Sequence, residues 1–272
     1  MSNFNKIIVV DWNIFMFRAI FACEHNKQGI PPTYSALNML ISSLRIIGCH
    51  PDDLIIMAID SPKGSWRKQI DPAYKANRRE QREKHDIDWN STFALFKNFI
   101  GQLKISTPFS FIEIDYLEAD DIISTACRFF HDKEVIIVSS DSDYEQLCEF
   151  KNVRIFSPCG EHKHFKIVKN PSLCLAKKIK KETTDNLITE IITEEDYRKR
   201  EKIVNLQVLP FEVENQVSKV LFTIEPNSSF NLTKLPFKTL RERFMGIYND
   251  NKEGDKIIKK KKIKLKPVLL SL

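Results

Sequence analysis

The chain has no C-x-x-C pair, although it carries six cysteines in 272 residues. Cys23, Cys49, Cys127, Cys148, Cys159 and Cys174 are scattered, a pattern that fits buried thiols in a reducing compartment better than a disulfide frame or a zinc knuckle. Long apolar runs are also missing. None approaches the length of a membrane span, and the N-terminal one is too short for a secretory signal, so the expectation is a cytoplasmic protein with no membrane partner. No internal repeat is visible. Histidines are few, and His162 and His164, two apart in a polar stretch, have no partner ligands that would favour zinc.

What is present is 42% apolar and 29% charged residues, enough to bury one large domain or one domain with an appendage. The net charge of +6 is uneven. Residues 252–272 hold eight lysines against Glu253 and Asp255, which accounts for that +6 and leaves the rest of the chain near neutral. This Lys-rich end has no periodicity and a block of like charge repels itself, so it reads as a mobile tail. A second basic stretch runs from Ser65 to His85, with Arg67, Lys68, Lys75, Arg78, Arg79, Arg82 and Lys84. Basic segments beside acidic ones point to a polyanion as partner.

Val, Ile and Leu dominate residues 7–10, 54–59 and 134–138, and helical spacing fills the intervals. Leu37, Leu40, Ile41 and Leu44 mark one helix, Phe93, Phe96, Phe99, Ile100 and Leu103 a second, and Ile122, Ala126, Phe129 and Phe130 a third. The alternation predicts an α/β fold, a mostly parallel central sheet covered by helices on both sides. Residues 109–114 and 153–156 add outer strands. Past residue 160 the pattern weakens to a short basic helix over 173–181, a charged one over 194–206 and an amphipathic one over 211–220.

Each main strand delivers an acid. Asp11 follows IIVV, Asp60 follows LIIMAI, and Asp141 follows EVIIVSS, with Asp143 two residues on; Glu118, Asp120 and Asp121 open the third helix. In an open parallel sheet ligands collect beyond the carboxyl ends of the strands, so these acids converge. Two carboxylates about 4 Å apart repel by roughly 4 kcal/mol at an effective dielectric near 20. Such a cluster calls for cations, and oxygen-only ligands favour Mg²⁺ or Mn²⁺ over Zn²⁺. Taken singly, acids in a first helical turn are explained by capping and the helix dipole. The joint pattern is what points to metal-assisted phosphate chemistry.

Five stretches carry a family resemblance: V-V-D-W-N at 9–13, A-I-D-S at 58–61, W-R-K-Q-I-D-P-A-Y-K-A-N-R at 66–78, Y-L-E-A-D-D at 116–121 and S-S-D-S-D-Y-E-Q-L at 139–147. In order and spacing the chain resembles the flap endonuclease and 5′ to 3′ exonuclease superfamily, and within it the ribonuclease H proteins of T-even bacteriophages. The resemblance covers residues 6–186 and implies a nuclease core over 1–186, an arch over about 62–90, a reduced helical C-terminal region over 187–250 and the tail from 251. It implies two Mg²⁺ ions, with Mn²⁺ able to substitute. Asp11, Asp60, Asp120 and Asp141 hold the first ion, Glu118 acts directly or through water, and Asp143 and Asp185 lie toward the second. Lys75 joins Asp11 and Asp141 as a catalytic group by countering charge on the scissile phosphate. Arg67, Arg78 and Arg79 bind backbone phosphates and Tyr74 stacks on a base. The plain alternative for this segment is an exposed, salt-bridged helix.

The implied activity is Mg²⁺-dependent 5′–3′ exonuclease or flap endonuclease hydrolysis of RNA primers or 5′ flaps in phage DNA replication, by a monomer in the host cytoplasm. Its partners are DNA and RNA–DNA hybrids with 5′ ends or flaps, and through the tail a clamp or single-strand-binding protein. Two departures stand out. The family's Gly-Asp of the second-metal motif is replaced by Lys181-Glu182, and Asp185-Asn186 runs almost directly into ITEEDYRKREKIVNL. The family's duplex-gripping helices are thus deleted or much shortened, which keeps open an alternative: a replication-associated nucleic-acid-binding protein with a nuclease fold and weak or no activity. A phosphatase built around Asp11 ranks lower, because Asn13 stands where its second acid is needed.

Overall fold

The computed structural model describes residues 4–26, 29–159, 163–180 and 193–247, with the side chains of Asn26, Arg79 and Lys180 left aside. Strand β1 (Lys6–Asp11) runs without a loop into helix α1 (Trp12–Asn26), followed by α2 (Pro32–Ile47), β2 (Leu54–Ala58), the short helices α3 (Arg67–Ile70) and α4 (Arg78–Glu83), and α5 (Trp89–Ser106). Then come β3 (Ser110–Ile112), α6 (Ala119–Phe129), β4 (Glu134–Val138), a 3₁₀ helix over Asp143–Glu149, β5 (Val153–Ser157) and β6 (His164–Phe165). Helices α7 (Pro171–Lys180), α8 (Glu194–Val204) and α9 (Phe211–Phe222) and a helical stretch over 238–247 complete the described chain.

The six strands lie in the order β3-β2-β1-β4-β5-β6, and every pair but β5–β6 is parallel. The expected α/β architecture is therefore present. Strand β1 is buried on both faces because its residues alternate between two cores. Ile8 and Val10 join α1, α2 and α5, while Ile7 and Val9 join α6 and α9. From β1 the chain proceeds outward to β2 and β3, then returns to lay β4, β5 and β6 on the opposite side. The β1–β4 boundary is thus the switch point at which a crevice opens beyond the strand ends.

Helix α1 was not legible from apolar spacing. Its sequence WNIFMFRAIFACEHN is apolar on nearly every side, and only Arg18, Glu24, His25 and the terminal Asn residues break the run. The reason is packing: Trp12, Phe15, Met16, Ala19 and Ile20 enter the core, while Phe17 meets Trp89 and Phe93 of α5 at the edge. The C-terminal helices are not an independent unit. Leu206, Leu209, Val213, Val217 and Leu221 complete one core, and Leu235, Leu240, Phe244 and Ile247 complete the other. The tail, from residue 251, lies outside the described residues.

Candidate metal and nucleic-acid site

Asp11 is the last residue of β1, Asp60 stands two past β2 and Asp141 three past β4, so the parallel register brings them to one edge. Asp120 comes from the first turn of α6. All four line one cavity of about 440 Å³ at the switch point, and Lys75 and Arg78 of the arch segment face them across it.

The electrostatics of this group are those of acids held in deficit of positive charge. Burial, with the neighbouring charges of Asp60 and Asp141, pushes the Asp11 carboxyl up to about 7. Burial also raises Asp60, with Glu118 adding to the effect and Lys75 opposing it. Asp120 is raised well above the usual range by burial and by Glu118 and Asp141, against the pull of Lys75. Asp141 is raised by burial and by Asp143. Ionising all four together is therefore unfavourable unless a cation enters.

Protein donors take part of that load. Ser139 Oγ and Tyr144 OH donate to Asp11 Oδ2 at 3.1 and 3.2 Å, and Tyr144 OH approaches Asp120 Oδ1 at 2.5 Å. The Ala119 N–H donates to Asp60 Oδ1 at 2.7 Å. Turned onto these donors, the acids do not converge tightly: among the described residues no group of three or more His, Cys, Asp or Glu side chains has closed into a ready-made metal cage. The four carboxylates suit a hard divalent cation, and the His85 imidazole on the cavity wall lies instead against Glu24, 3.1 Å from its Oε2.

Glu118 lies outside the cavity wall and has a different environment. Arg67 Nη1, Lys75 Nζ and Tyr74 OH donate to it at 2.9, 2.5 and 3.1 Å. Burial acts to raise its carboxyl, but Lys75 and Arg67 outweigh that and hold it below the usual range. Asp121, fully buried, accepts hydrogen bonds from the Glu118 N–H and from Trp66 Nε1, which ties the arch to the start of α6.

Two expected contacts with nucleic acid are corrected here. Arg67 is 1% exposed, with Nε on the Ile203 carbonyl of α8 and Nη1 on Glu118 and Asp121. So buried and so fully paired, it holds the base of the arch and does not present itself to a phosphate. Tyr74 is 6% exposed, packs with Ile203 and donates to Glu118, so its ring offers no face to a base. Both follow from one fact: residues 66–75 fold down onto α6 and α8. Lys75 and Arg78 do line the cavity. Lys75 also adopts a left-handed backbone, φ 58°, a conformation that costs energy in a residue with a Cβ. The Arg79 side chain and all of Asp185 lie outside the described residues, as does His162.

Asp143 is not among the cavity acids; it ion-pairs with Lys178 of α7. The residues that sequence reasoning missed are the donors. Tyr144 is fully buried between Asp11 and Asp120, and Ser139 is buried beside Asp11. Their signal was adjacency to the acids in S-S-D-S-D-Y.

Residues 6–183 match the profile of the 5'-3' exonuclease, N-terminal resolvase-like domain. The chain belongs to that family. Among curated members of it and related proteins, the chain is 34% identical over 139 residues to "Ribonuclease H" of Enterobacteria phage T4, a match covering 49% of this chain and 45% of that protein. It is 28% identical over 147 residues to DNA polymerase I of Geobacillus stearothermophilus, covering 53% of this chain and 16% of that one. The chain thus spans less than half the length of these exonuclease-family relatives. In fold it is similar to the bacteriophage T5 flap endonuclease solved with DNA and metal ions, with a TM-score of 0.54, 19% identity, and 89% of this chain and 97% of that chain covered. The T5 5'-exonuclease with zinc bound gives a TM-score of 0.51 at 15% identity, covering 91% and 98%. No described helix of this family member is long and apolar enough to cross a membrane.

Proposed function

We propose that this chain is a Mg²⁺-dependent 5′ nuclease, an exonuclease or flap endonuclease that hydrolyses phosphodiesters of RNA primers or 5′ flaps during phage DNA replication. One observation carries the reading: four mutually repelling carboxylates, Asp11 buried and Asp60, Asp120 and Asp141 half-buried, line a cavity at the sheet's switch point together with arch cations. Asp11, Asp60, Asp120 and Asp141 would hold a divalent ion, Mg²⁺ or in its place Mn²⁺, which supplies Lewis acidity and an activated water. Relatives in fold that were solved with metal ions and with DNA support this assignment.

The chain's own groups do the rest. Ser139 and Tyr144 orient Asp11 and Asp120 by hydrogen bonding. Lys75 Nζ sits between Glu118 and the cavity, so a phosphate oxygen arriving there exchanges one anionic partner of the ammonium for another. Arg78, on the same wall, meets the backbone of the strand. In domain terms residues 1–186 act as the nuclease core with its arch at 62–90, residues 187–250 as a shortened helical region and the remainder as a basic tail. Substrates are DNA and RNA–DNA hybrids with 5′ ends or flaps. The protein works as a monomer in the host cytoplasm, with a replication clamp or single-strand-binding protein as the tail's partner.

The test is cleavage of a 5′-labelled flap and of an RNA-primed duplex, with and without Mg²⁺, beside Asp141→Asn. Metal-dependent release of short 5′ products, lost in the variant, is the expected result. Binding of both substrates with no cleavage under any metal would favour the non-catalytic alternative, and cleavage unchanged by EDTA or by the variant would sink the mechanism.

A further inference from the structure

Two cations from distant parts of the chain converge on one face of α2. Arg243, in the helical stretch over 238–247, gives Nη1 to Asn38 Oδ1 and Nη2 to Ser42 Oγ, the latter at 3.1 Å. Lys163 Nζ reaches the Met39 carbonyl beside them at 3.4 Å. Asn38, Ser42 and the exposed Arg45 stand at i, i+4 and i+7, so one stripe of the helix carries all three.

The partners of the two cations are neutral: an amide, a hydroxyl and a carbonyl. Helix α2 holds no Asp or Glu, and among the described residues neither Lys163 nor Arg243 has an ion pair. Glu242 precedes Arg243 in sequence but stands about 100° around the helix from it. Burial, aided by the Arg243 charge, pushes the half-buried Lys163 ammonium below its ordinary range. Like charges held together in this way are relieved when an anion enters between them. The guanidinium keeps further N–H groups for such an acceptor.

The sheet fixes where this pair stands. Lys163 directly precedes β6, whose His164 pairs with Ser157 at the end of β5, and β5 runs parallel to β4, which leads to Asp141. Lys163 is therefore at the same edge of the sheet as the acids, one strand beyond β4. It is outside the acidic cavity, as are Arg243, Asn38 and Ser42.

We infer that Lys163 and Arg243, seated on Asn38 and Ser42 of α2, bind a backbone phosphate in the duplex arm of the nucleic-acid substrate. The inference rests on the nuclease reading above and adds to it a hold outside the cavity. A substrate with its 5′ end or flap at the acids continues as duplex beyond them, so a phosphate reaching this edge belongs to that arm. A phosphodiester has two free oxygens that can meet ammonium and guanidinium together. Such a contact positions the duplex without reading its bases.

Fluorescence anisotropy of labelled DNA, with the full chain in EDTA, reads this binding without cleavage or metal. The probes are a flap substrate with a duplex arm of about two helical turns, roughly 20 base pairs, and the flap strand alone. On the duplex-bearing probe, Lys163→Gln with Arg243→Gln should weaken binding about tenfold and lower the salt slope by about two, while the single strand should bind both proteins within about twofold. Lys163→Gln alone removes only the contact to the Met39 carbonyl from the fold and should lower the slope by about one, so the test stands even where the Arg243 variant does not fold. Unchanged affinity and slope in Lys163→Gln overturn the inference, and so does an equal loss on the single strand. A wild-type chain that binds neither DNA removes the nuclease reading itself and this inference with it, a failure visible before any variant is made.

Discussion

Lys75 and Glu118 meet at 2.5 Å across the base of the arch, joining a left-handed residue of one segment to the residue that opens α6. The ammonium also borders the acidic cavity, so the pair joins the arch to the candidate centre. Removing the ammonium by Lys75→Met is expected to lower the cleavage rate about 100-fold, in the range lost when a transition-state charge partner is removed. Affinity for flap DNA should change far less. Single-turnover kinetics with a parallel binding titration separate the two, and a purely proportional loss in affinity would contradict the role.

Arg67 and Arg78 should fail in opposite ways. Arg67→Ala leaves Glu118 and Asp121 without their buried partner, a change that costs about 3–5 kcal/mol, seen as a lowered midpoint in urea. Arg78→Ala, on the cavity wall, should lower that midpoint less than Arg67→Ala does and weaken DNA binding with a shallower salt dependence. A stable Arg67→Ala protein with impaired DNA binding would restore the expectation that Arg67 contacts phosphate.

Stability without metal should fall as pH rises. Burial and its neighbours raise Asp11 from 3.8 to about 7. The folded form therefore holds this proton more tightly than the unfolded chain does. Its contribution is fully present below about pH 4 and is lost as pH climbs through 7, a swing of up to about 4 kcal/mol. Asp60, Asp120 and Asp141 are shifted in the same direction. In EDTA the melting temperature should decline from pH 5 to pH 8, Mg²⁺ should recover part of the loss, and Asp11→Asn should flatten the decline. A melting temperature that climbs over this interval in EDTA would contradict the cluster.

Tyr144→Phe deletes the hydroxyl that serves both Asp11 and Asp120. The carboxylates lose a donor that favours their charged form, so protons compete better with the cation. Half-maximal cleavage should then need several-fold more Mg²⁺ at pH 7, and the deficit should shrink at pH 9. An equal deficit at both values would mean that the tyrosine acts only through packing.

The Lys-rich end predicted from residues 252–272 should supply nonspecific phosphate contacts. Deleting residues 256–272 is expected to raise the DNA concentration needed for cleavage and to flatten its salt dependence. A truncated protein with both quantities unchanged would point instead to a role in docking a protein partner.

The sheet and most of its helices were legible because the main strands are short Val/Ile/Leu runs and α2, α5 and α6 carry regular stripes. The cavity acids were legible for a similar reason, since a parallel sheet places every strand end on the same side. Helix α1 was not, because a helix wedged between core and arch shows no polar face. The arch residues were misassigned where charge hid burial. Arg67 looks like a phosphate ligand in sequence, and only the fold shows that its carboxylate partners lie 51 and 54 positions away. Tyr144 was missed because a hydroxyl that bridges two acids leaves no mark in composition or period.

Asp11 ends a central strand and Trp12 begins a helix with nothing between them. Such a hinge-free joint cannot absorb a change in chain length: one extra residue there would rotate the whole of α1 by about 100° and drive Trp12 and Phe15 out of the core. Insertional mutagenesis across the chain should therefore find this junction among the least permissive places.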